Sequence, residues 1–517
     1  MGGALTRCLA WLRWRVGARR LRAARDVVFY AAAAASALPL FVAEYVPIQD
    51  LPQHAAAVRV LHDYGAPELG FERYFVTDPS STQYLSVYLV ASLLAFVFSA
   101  VTAVKLVLAL SVIAVPCALR WLLGELGKPK SLAFLALPLA YNVHLILGFV
   151  NFIAGLALML CGLALAVRLA RRYSLATALR LAAVALVCFY THVIPFGVLA
   201  LGALLASLEA WKSDRARGVL RCWLPLLPSL LAALAWSFTN PAGRLVARLA
   251  SGEVDQGPVF TPFDRALAEL SEWLLDVLPG DADERVLVGW LALLALLFVS
   301  GSSSAAGGRH AALRRRLGWL VPLAFLGYFL APSSYAFIWP IHARFPLIAL
   351  LLLIVAVPRV GPALRAFAAA ASLVLFASAT IETSRAFRGA AFEEYAGLSE
   401  IVDAVPEGSR VAGLIYARGS RFVRFAPYLH SVAWVQAERG GAVMFSFADF
   451  AHSPFRFREE SRPPRVPPRW EWLPERVDPR DLEWFDYVLT RGGRDRLPGY
   501  RKLRASGAFA LWIRAER

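Results

Sequence analysis

A short polar segment after the first long apolar run contains the residue types needed for acid–base chemistry. Its sequence is Glu44-Tyr45-Val46-Pro47-Ile48-Gln49-Asp50-Leu51-Pro52-Gln53-His54. If a helix begins at Asp50, His54 follows one turn later on the same face. A carboxylate there can act as a general base, while the imidazole orients it or shares a cation with it. The spacing therefore predicts Asp50 and His54 as a catalytic pair.

The same segment also has a purely structural interpretation. Asp50 and Gln53 have the spacing of a capping box. In that motif the aspartate accepts from the first free backbone N–H groups of the helix, and the glutamine reaches back to the cap. Both interpretations stay open at this point, because one carboxylate can cap a helix and still face a substrate.

Polar residues that interrupt apolar runs form a second group of candidates. They are Asn142, His144, Asn151, His192, His342 and Arg344. Such residues are costly within a membrane and usually face the interior of a bundle or a cavity. Arg344 has a planar guanidinium suited to phosphate, although an arginine beside Trp339 and Phe345 also fits an interfacial aromatic belt. For His192 and Asn151, packing or hydrogen bonding between helices is the alternative to substrate binding.

Acidic residues of a later polar segment offer oxygen ligands for a divalent cation. They are Glu253, Asp255, Asp264, Glu269, Glu272 and Asp276. The solvated face of an amphipathic helix is the alternative, because Thr261-Pro262 starts a helical pattern of apolar residues. The sequence contains no P-loop, no Rossmann glycine pattern and no HExxH motif. A divalent cation is therefore considered as a cofactor without a ligand set being assigned to it.

Helices in a membrane have to position these candidates. The chain has 517 residues, of which 58% are hydrophobic and 18% are charged, whereas soluble proteins have about 45–50% apolar and about 25% charged residues. Runs such as 286–299 carry no charge, and several neighbouring segments approach the roughly 20 residues that cross a bilayer. The basic residues that give the net charge of +17 are clustered beside apolar runs, as the positive-inside rule requires. The composition thus excludes a soluble protein, and the charge pattern excludes a nucleic-acid-binding one.

We predict an all-α bundle of about eleven transmembrane helices within residues 27–384, after a basic cytoplasmic segment, 1–26. The spans are placed at 27–46, 83–101, 104–123, 131–147, 149–169, 181–208, 222–240, 286–300, 317–334, 346–357 and 363–382. The segment 181–208 fits either one tilted span or two short helices broken at Pro195. Counting crossings puts loops 47–82 and 242–284 outside, but it also puts the basic run 168–180 outside, against the charge rule.

The composition changes after residue 384 and becomes more charged and richer in proline. Short strand-like runs occur at 410–416, 487–490 and 509–514, with a helical pattern at 394–404. Residues 385–517 are therefore predicted to form a small soluble α/β domain, whose size is within the usual range. The number of crossings from a cytoplasmic N-terminus puts this domain on the outer side of the membrane.

This layout resembles the GT-C superfamily of membrane glycosyltransferases, including bacterial members. At residue level the resemblance rests on Asp50-Leu51-Pro52-Gln53-His54, Gly148-Phe149-Val150-Asn151-Phe152 and Arg344-Phe345. It implies that Asp50 is the catalytic base or positions the acceptor, and that Arg344 binds the phosphate of the donor. Many relatives have paired acids in the first loop, whereas His54, or the more distant Glu44, stands in the second place here.

The resemblance further implies a reaction and a location. A sugar would pass from a polyprenyl-phosphate donor, held among membrane lipids, to an acceptor at the outer face of a bacterial inner membrane. Asp50 and His54 would be catalytic, and Arg344, His342, Asn151, His192 and Glu44 would bind substrate. A polytopic transporter and a non-catalytic envelope-assembly protein are the alternatives. A site at the ends of the helices favours the enzyme, and a site halfway along them favours the transporter.

Overall fold

The structure is a computed structural model of the full chain. It describes residues 23–79, 82–240, 257–302, 309–335, 338–464, 471–493 and 495–515. Most of the predicted basic N-terminal segment, the acids Glu253 and Asp255, and most of the glycine- and serine-rich stretch 300–308 lie outside the described residues.

Helices dominate the first three quarters of the chain. Numbered in chain order, they are α1 (23–35), α2 (Leu51–His62), α3 (Phe71–Tyr74), α4 (Leu85–Leu94), α5 (Ala100–Glu125), α6 (Val143–Ile146), α7 (Val150–Arg171), α8 (Leu175–Phe189), α9 (Val193–Ser207), α10 (Trp211–Trp223), α11 (Leu227–Thr239), α12 (Phe263–Glu269), α13 (Ala282–Val299), α14 (Arg309–Gly318), α15 (Leu320–Leu330), α16 (Arg344–Ala356) and α17 (Pro362–Gly389). A 3-10 helix, Lys130–Ala140, joins α5 to α6.

Four of the described helical stretches are long and apolar enough to cross a membrane. They are Ala100–Glu125, Val150–Arg171, Arg215–Thr239 and Pro362–Glu394. A helix such as α7, with 22 residues, is about 33 Å long, which matches a hydrocarbon core of about 30 Å. Shorter apolar helices, including α8, α9 and α16, pack among them. The predicted helical membrane bundle is thus confirmed in its class.

The predicted span 83–101 is not a single long helix. Its helical part, α4, has 10 residues, about 15 Å of helix, which is half the thickness of the hydrocarbon core. The Phe96 ring beyond its end lies 4.5 Å from the ring of His62 at the end of α2. Tyr88 within α4 meets His54 near the start of α2. α4 therefore lies alongside α2, and the chain does not cross the bundle here.

The predicted segment 181–208 contains two helices, α8 and α9. The break falls at Tyr190–His192, just before Pro195. His192 begins α9, because its Nδ1 accepts a hydrogen bond of 3.2 Å from the backbone N–H of Ile194. The chain thus turns back at this point, and the two-helix interpretation of the segment is correct.

The two ends of the bundle differ in composition. At one end, Arg120 donates to Asp26 over 2.6 Å, and Arg168 is bonded to Glu125. Arg309 donates to the carbonyl of Arg171 at the same end. We call this the basic end. The sequence-based count had placed 168–180 on the opposite side from the N-terminal segment, whereas these contacts bring Asp26, Arg168 and Arg171 to one end of the bundle.

The C-terminal region forms a mixed sheet beside the opposite end. The strands are β2 (Arg410–Ile415), β3 (Ala442–Val443), β5 (Tyr487–Arg491), β6 (Tyr500–Ser506) and β7 (Phe509–Arg514), in the order β3-β2-β5-β7-β6. β3, β2 and β5 are parallel, while β5, β7 and β6 are antiparallel. Two helices, α18 (Leu398–Asp403) and α19 (Val432–Arg439), accompany the sheet. A small α/β unit was the expectation for this region.

Loop 47–82 joins this sheet domain to the bundle. Strand β1 (Phe75–Thr77) pairs antiparallel with β4 (Phe455–Phe457), and α2 packs on α19. Phe71, Phe75 and Phe455 are completely or almost completely buried between them. Because loop 47–82 is packed on both sides, its helix α2 has a fixed position at this end of the bundle, which we call the site end.

Candidate functional site

Asp50 is held at the start of α2 by a neighbouring turn of the chain. The backbone N–H of Asp50 donates to the carbonyl of Leu147 over 3.2 Å, and that of Gln49 donates to Ile146 over 2.9 Å. Gly148 in this turn has a φ of +82°, and a Cβ there would lie 2.8 Å from the backbone nitrogen of Asp50. Only glycine fits such a close approach without strain. The turn before α7 therefore fixes the position of Asp50.

The predicted capping box does not form. Asp50 precedes α2 but its side chain accepts no hydrogen bond from the first turn. The Gln53 side chain donates instead to the carbonyl of Phe445 and accepts from the N–H of Phe447 over 3.1 Å. Pro52 has already removed one of the N–H groups that a cap would satisfy. The carboxylate of Asp50 is thus left available for other contacts.

His430 from the C-terminal domain is the described group facing Asp50. Its Nδ1 lies 3.1 Å from Oδ1 of Asp50, and the two side chains are 17% and 16% exposed. The two groups are in contact, but their alignment is not that of a well-directed hydrogen bond. His430 precedes α19, which packs on α2. The pair therefore lies at the surface of the site, where a solute can reach it.

His54 lies one turn after Asp50, as the spacing predicts, and is buried. Its Nε2 lies 3.1 Å from the carbonyl of Gly148 and its Nδ1 lies 3.1 Å from the hydroxyl of Tyr88. Because a carbonyl only accepts, Nε2 carries the proton and Nδ1 accepts from Tyr88. Burial lowers the pKa of His54 to about 4. At neutral pH, His54 is an uncharged ring that ties α2 to the Gly148 turn.

Arg344, at the first position of α16, is the buried cation of the site. It is only 5% exposed. One Nη donates to the carbonyl of Pro340, and its guanidinium carbon lies 4.8 Å above the ring of Phe149. Its Nε has no hydrogen-bond partner among the described residues. Asp50 lies close enough for its negative charge to act on Arg344, and the charge of Arg344 acts on the hydroxyl of Tyr84.

Three further histidines surround this guanidinium. The charge of Arg344 acts on His144, His192 and His452. His144 donates through Nε2 to Ala343 over 3.1 Å, beside Arg344 itself. The rings of His192 and His452 lie 5.6 Å and 5.3 Å from that of Tyr84. Burial, together with Arg344, lowers the pKa of His452 to about 4.

The segment 147–149 therefore connects the two charged groups that the sequence singled out. Its first half holds the backbone of Asp50, and the Phe149 ring lies beneath Arg344. The sequence did not indicate His430 or His452, which come from the distant C-terminal domain. Their position before and after α19 carries no pattern that a sequence-based argument could use, since the proximity arises from domain packing.

The remaining predicted residues are Asn151, His342 and Glu44, and they differ in how near they lie to Asp50 and Arg344. Asn151 is buried in the first turn of α7, and its Oδ1 has no hydrogen-bond partner in the described part of the chain. His342 is 2% exposed, stacked at 5.2 Å on Tyr328. Glu44 is exposed, and its backbone carbonyl accepts from Lys105 over 3.1 Å. The described contacts of His342 and Glu44 are thus away from Asp50.

One acidic cluster has oxygen atoms close enough together for a metal ion. Ligand atoms of Asp276, Asp283 and Glu284 lie within 4.8 Å of one another. Arg424 of the C-terminal domain already forms an ion pair with Asp276. Asp283 accepts 2.5 Å and 2.7 Å bonds from the N–H groups of residues 277 and 278. Through these bonds, the cluster connects the C-terminal domain to the loop before α13, which explains why the acidic residues lie together.

Comparison with solved structures identifies the fold. The chain is similar to ArnT from Cupriavidus metallidurans bound to undecaprenyl phosphate, with a TM-score of 0.59 and 11% identity over 94% of this chain and 97% of that chain. For ArnT in the apo state the TM-score is 0.58 and the identity is 12%, over 95% and 98% of the two chains. No family model matches the sequence. No curated protein matches it either.

The similarity extends over the helical bundle and the C-terminal domain together, since it covers nearly the whole of both chains. At 11–12% identity it reports the fold and does not by itself assign an activity. The expected resemblance to GT-C proteins is confirmed at this level. The helical bundle and the C-terminal domain of this integral membrane chain therefore have the fold of ArnT.

Proposed function

We propose that this protein transfers a sugar from a polyprenyl-phosphate donor to an acceptor at the site end of the bundle. The observation that carries the proposal is the shared environment of Asp50 and Arg344, which lie on either side of the 147–149 turn with their charges in reach of each other. The ArnT structure that holds undecaprenyl phosphate supports a polyprenyl-phosphate partner. A general base near a buried guanidinium suits a reaction in which a phosphate is the leaving group.

Arg344 is the group that we assign to the donor phosphate. An arginine can bind phosphate through two parallel N–H bonds, each of them charge-assisted. His144, His192 and Tyr84 lie near enough to Arg344 for its charge to act on them, and its Nε is without a partner among the described residues. The guanidinium therefore retains at least one N–H donor, at Nε, for a phosphate oxygen. We assign His192 and Asn151, at the starts of α9 and α7, to further contacts with the donor.

Asp50 is the group that we assign as general base. In the proposed step, the acceptor hydroxyl oxygen bonds to the anomeric carbon while the bond from that carbon to the phosphate oxygen breaks. The hydroxyl proton passes to Asp50, and the electron pair leaves with the lipid phosphate beside Arg344. His430 holds the orientation of the carboxylate, and His54 holds the turn behind it. Such positioning supplies much of the rate acceleration in a transfer between two substrates.

The position of this group along the helices favours transfer over transport. Asp50, Arg344, Asn151 and His192 all lie within the first turn of a helix or directly before it. Transporter sites usually lie near the middle of the bilayer, in interrupted helices. Groups at helix ends are instead level with lipid headgroups, where a lipid-linked donor and a water-soluble acceptor can meet.

We extend the proposal to the orientation in the membrane. About eleven segments pass alternately between the two ends. They are α1, α5, the 130–147 segment, α7, α8, α9, α10–α11, α13, α14–α15, α16 and α17. Arginines collect at the basic end, so the positive-inside rule makes it cytoplasmic. The site end and residues 385–517 are then outside, on the periplasmic face of a bacterial inner membrane.

The decisive experiment compares wild type with Asp50→Asn in membranes supplied with labelled polyprenyl-phosphate sugars. Loss of a general base lowers such rates by about 10²–10⁴-fold, so transfer by the variant should fall at least about a hundredfold. Asp63→Asn, at the other end of α2 and paired with Arg59, is the matched control and should keep its activity. Equal transfer by Asp50→Asn and wild type would refute the assignment of the base.

A further inference from the structure

The basic end of the bundle contains an open cavity unrelated to the site described above. Its volume is about 520 Å³, and it is lined by Glu125, Arg168, Arg171, Arg172, Arg309 and His310. These residues come from the end of α5, the end of α7 and the start of α14. Charged and titratable side chains thus form the whole described lining, which is unusual for a space that serves only packing.

The positive charge of this cavity exceeds what its carboxylate can balance. Glu125 is bonded to Arg168, and lies 3.6 Å from Arg171. Arg172 and Arg309 have no carboxylate within 4.0 Å in the described part of the chain. Arg309 is oriented by a 2.9 Å bond to the carbonyl of Arg171. Two guanidinium groups thus face the cavity without an acidic partner.

The titration of His310 agrees with a positive potential in the cavity. Burial lowers the pKa of His310, and the charges of Arg171 and Arg314 lower it further. Glu125 acts in the opposite direction, but the net change is downward. An anion entering the cavity would therefore meet cationic groups on several sides.

Exposed apolar side chains follow directly after Arg172 in the chain. Tyr173 is 48% exposed, and Leu175 and Leu179 on the adjacent face of α8 are 64% and 61% exposed. Leu175 and Leu179 are four residues apart, so they lie on the same side of α8. A ligand that occupies both surfaces needs an anionic head and an apolar tail.

We propose that this cavity binds the phosphate headgroup of an anionic membrane lipid, whose acyl chains lie along the exposed face of α8. Arg172 and Arg309 bind the phosphate oxygens, and Leu175 and Leu179 contact the chains. Arginine is suited to the tetrahedral phosphate because it offers several donors in a fixed plane. Basic pockets between membrane helices are a recurrent form of lipid headgroup recognition. A soluble phosphate would use the arginines but would gain nothing from the apolar face.

The test measures lipid binding to the purified full chain by native mass spectrometry. Phosphatidylglycerol is titrated against wild type and against Arg172→Gln and Arg172→Gln/Arg309→Gln. Each arginine near an anionic lipid contributes roughly fivefold in affinity, so the double variant should bind about 30-fold more weakly. Arg180→Gln removes the same charge from an exposed position on α8 outside the cavity lining and should bind as wild type does.

Two further arms separate the possible sources of phosphate. Phosphatidylcholine, which has no net charge, should bind more weakly than phosphatidylglycerol, and millimolar inorganic phosphate should not displace the lipid. Equal binding of both lipids, or unchanged binding by Arg172→Gln and the double variant, would overturn the proposal. Displacement by inorganic phosphate would also overturn it, because the site would then accept a soluble anion. Since the Arg172 side chain is exposed and makes no described hydrogen bond, its single variant tests binding without a folding defect.

Discussion

Gly148 shows how one residue without a side chain determines the position of a chemically active one. Its left-handed conformation lets the chain turn beneath Asp50, whose backbone nitrogen would otherwise meet a Cβ at 2.8 Å. The turn then continues into Phe149, which lies under Arg344. Both proposed functional groups therefore depend on the geometry of this glycine, even though it takes no part in the chemistry.

Replacing Gly148 by alanine should disturb both stability and activity. A non-glycine residue held in the left-handed region costs about 1–3 kcal/mol, and the added Cβ would also push Asp50 away from His430. We expect a lower midpoint of thermal unfolding in detergent and a loss of sugar transfer. Gly197→Ala in α9 is the matched control, because a Cβ there has no neighbour within 4 Å. If Gly148→Ala unfolds at the same temperature as Gly197→Ala, the turn does not have the importance assigned to it.

The elements that build the site are short, and several of them come from the C-terminal domain. Gln53 of α2 bonds to the backbone of 445 and 447, and β1 pairs with β4. The chain between these contacts, residues 447–455, also carries His452 to Tyr84. α2 and this segment thus pack as one unit, so the domain forms part of the site wall.

Because this packing buries His452, the free energy of unfolding should depend on the protonation of His452 and therefore on pH. Its pKa is about 4 in the folded protein and about 6.5 in an unfolded chain. Between these values the unfolded state binds more protons than the folded state, so stability falls as the pH falls from about 6.5 to 4. His54, with a pKa of about 4, acts in the same direction.

The measurement is the midpoint of thermal unfolding between pH 7.5 and 4.5 for wild type and His452→Phe. Phenylalanine can preserve the stacking of His452 on Phe450, at 5.6 Å, but it cannot take up a proton. The variant should therefore lose less stability than wild type over this pH interval. An identical slope for both proteins would show that the pKa of His452 is not lowered in the folded protein.

At the scale of the whole molecule, the two ends of the bundle have different compositions and different proposed partners. One end carries arginines, Glu125 and the open cavity, and the other carries the histidines, Asp50 and the C-terminal domain. Helix α7 connects them, with Asn151 in its first turn and Arg171 at its last residue. About 33 Å of helix separates the proposed transfer site from the proposed lipid site.

Labelling with a membrane-impermeant maleimide should distinguish the two ends. Arg180→Cys at the basic end and Glu400→Cys in the C-terminal domain are each introduced after the five natural cysteines are replaced by serine. Position 400 should react in right-side-out vesicles, and position 180 only in inverted ones. The reversed pattern would contradict the proposed orientation, and reaction of both positions from one side would contradict the alternation of crossings.

The sequence by itself determined the class of the protein and the one-turn spacing of Asp50 and His54. Hydrophobicity and charge distribution are properties of contiguous residues, so they indicated a helical membrane bundle and a C-terminal α/β unit. The four-residue separation of Asp50 and His54 depends only on helix geometry. The cost of burying Arg344 likewise marked it as a candidate before any contact was known.

Only the tertiary structure decided which groups meet. Gln53 and Phe445 are separated by 392 residues, and His430 comes equally late in the chain, so no local pattern could assign either to Asp50. Hydropathy also could not distinguish α4, which lies beside α2, from a crossing helix, because both are apolar. Partners of this kind depend on how domains pack, and the free energy of that packing is spread over many residues rather than encoded in one segment.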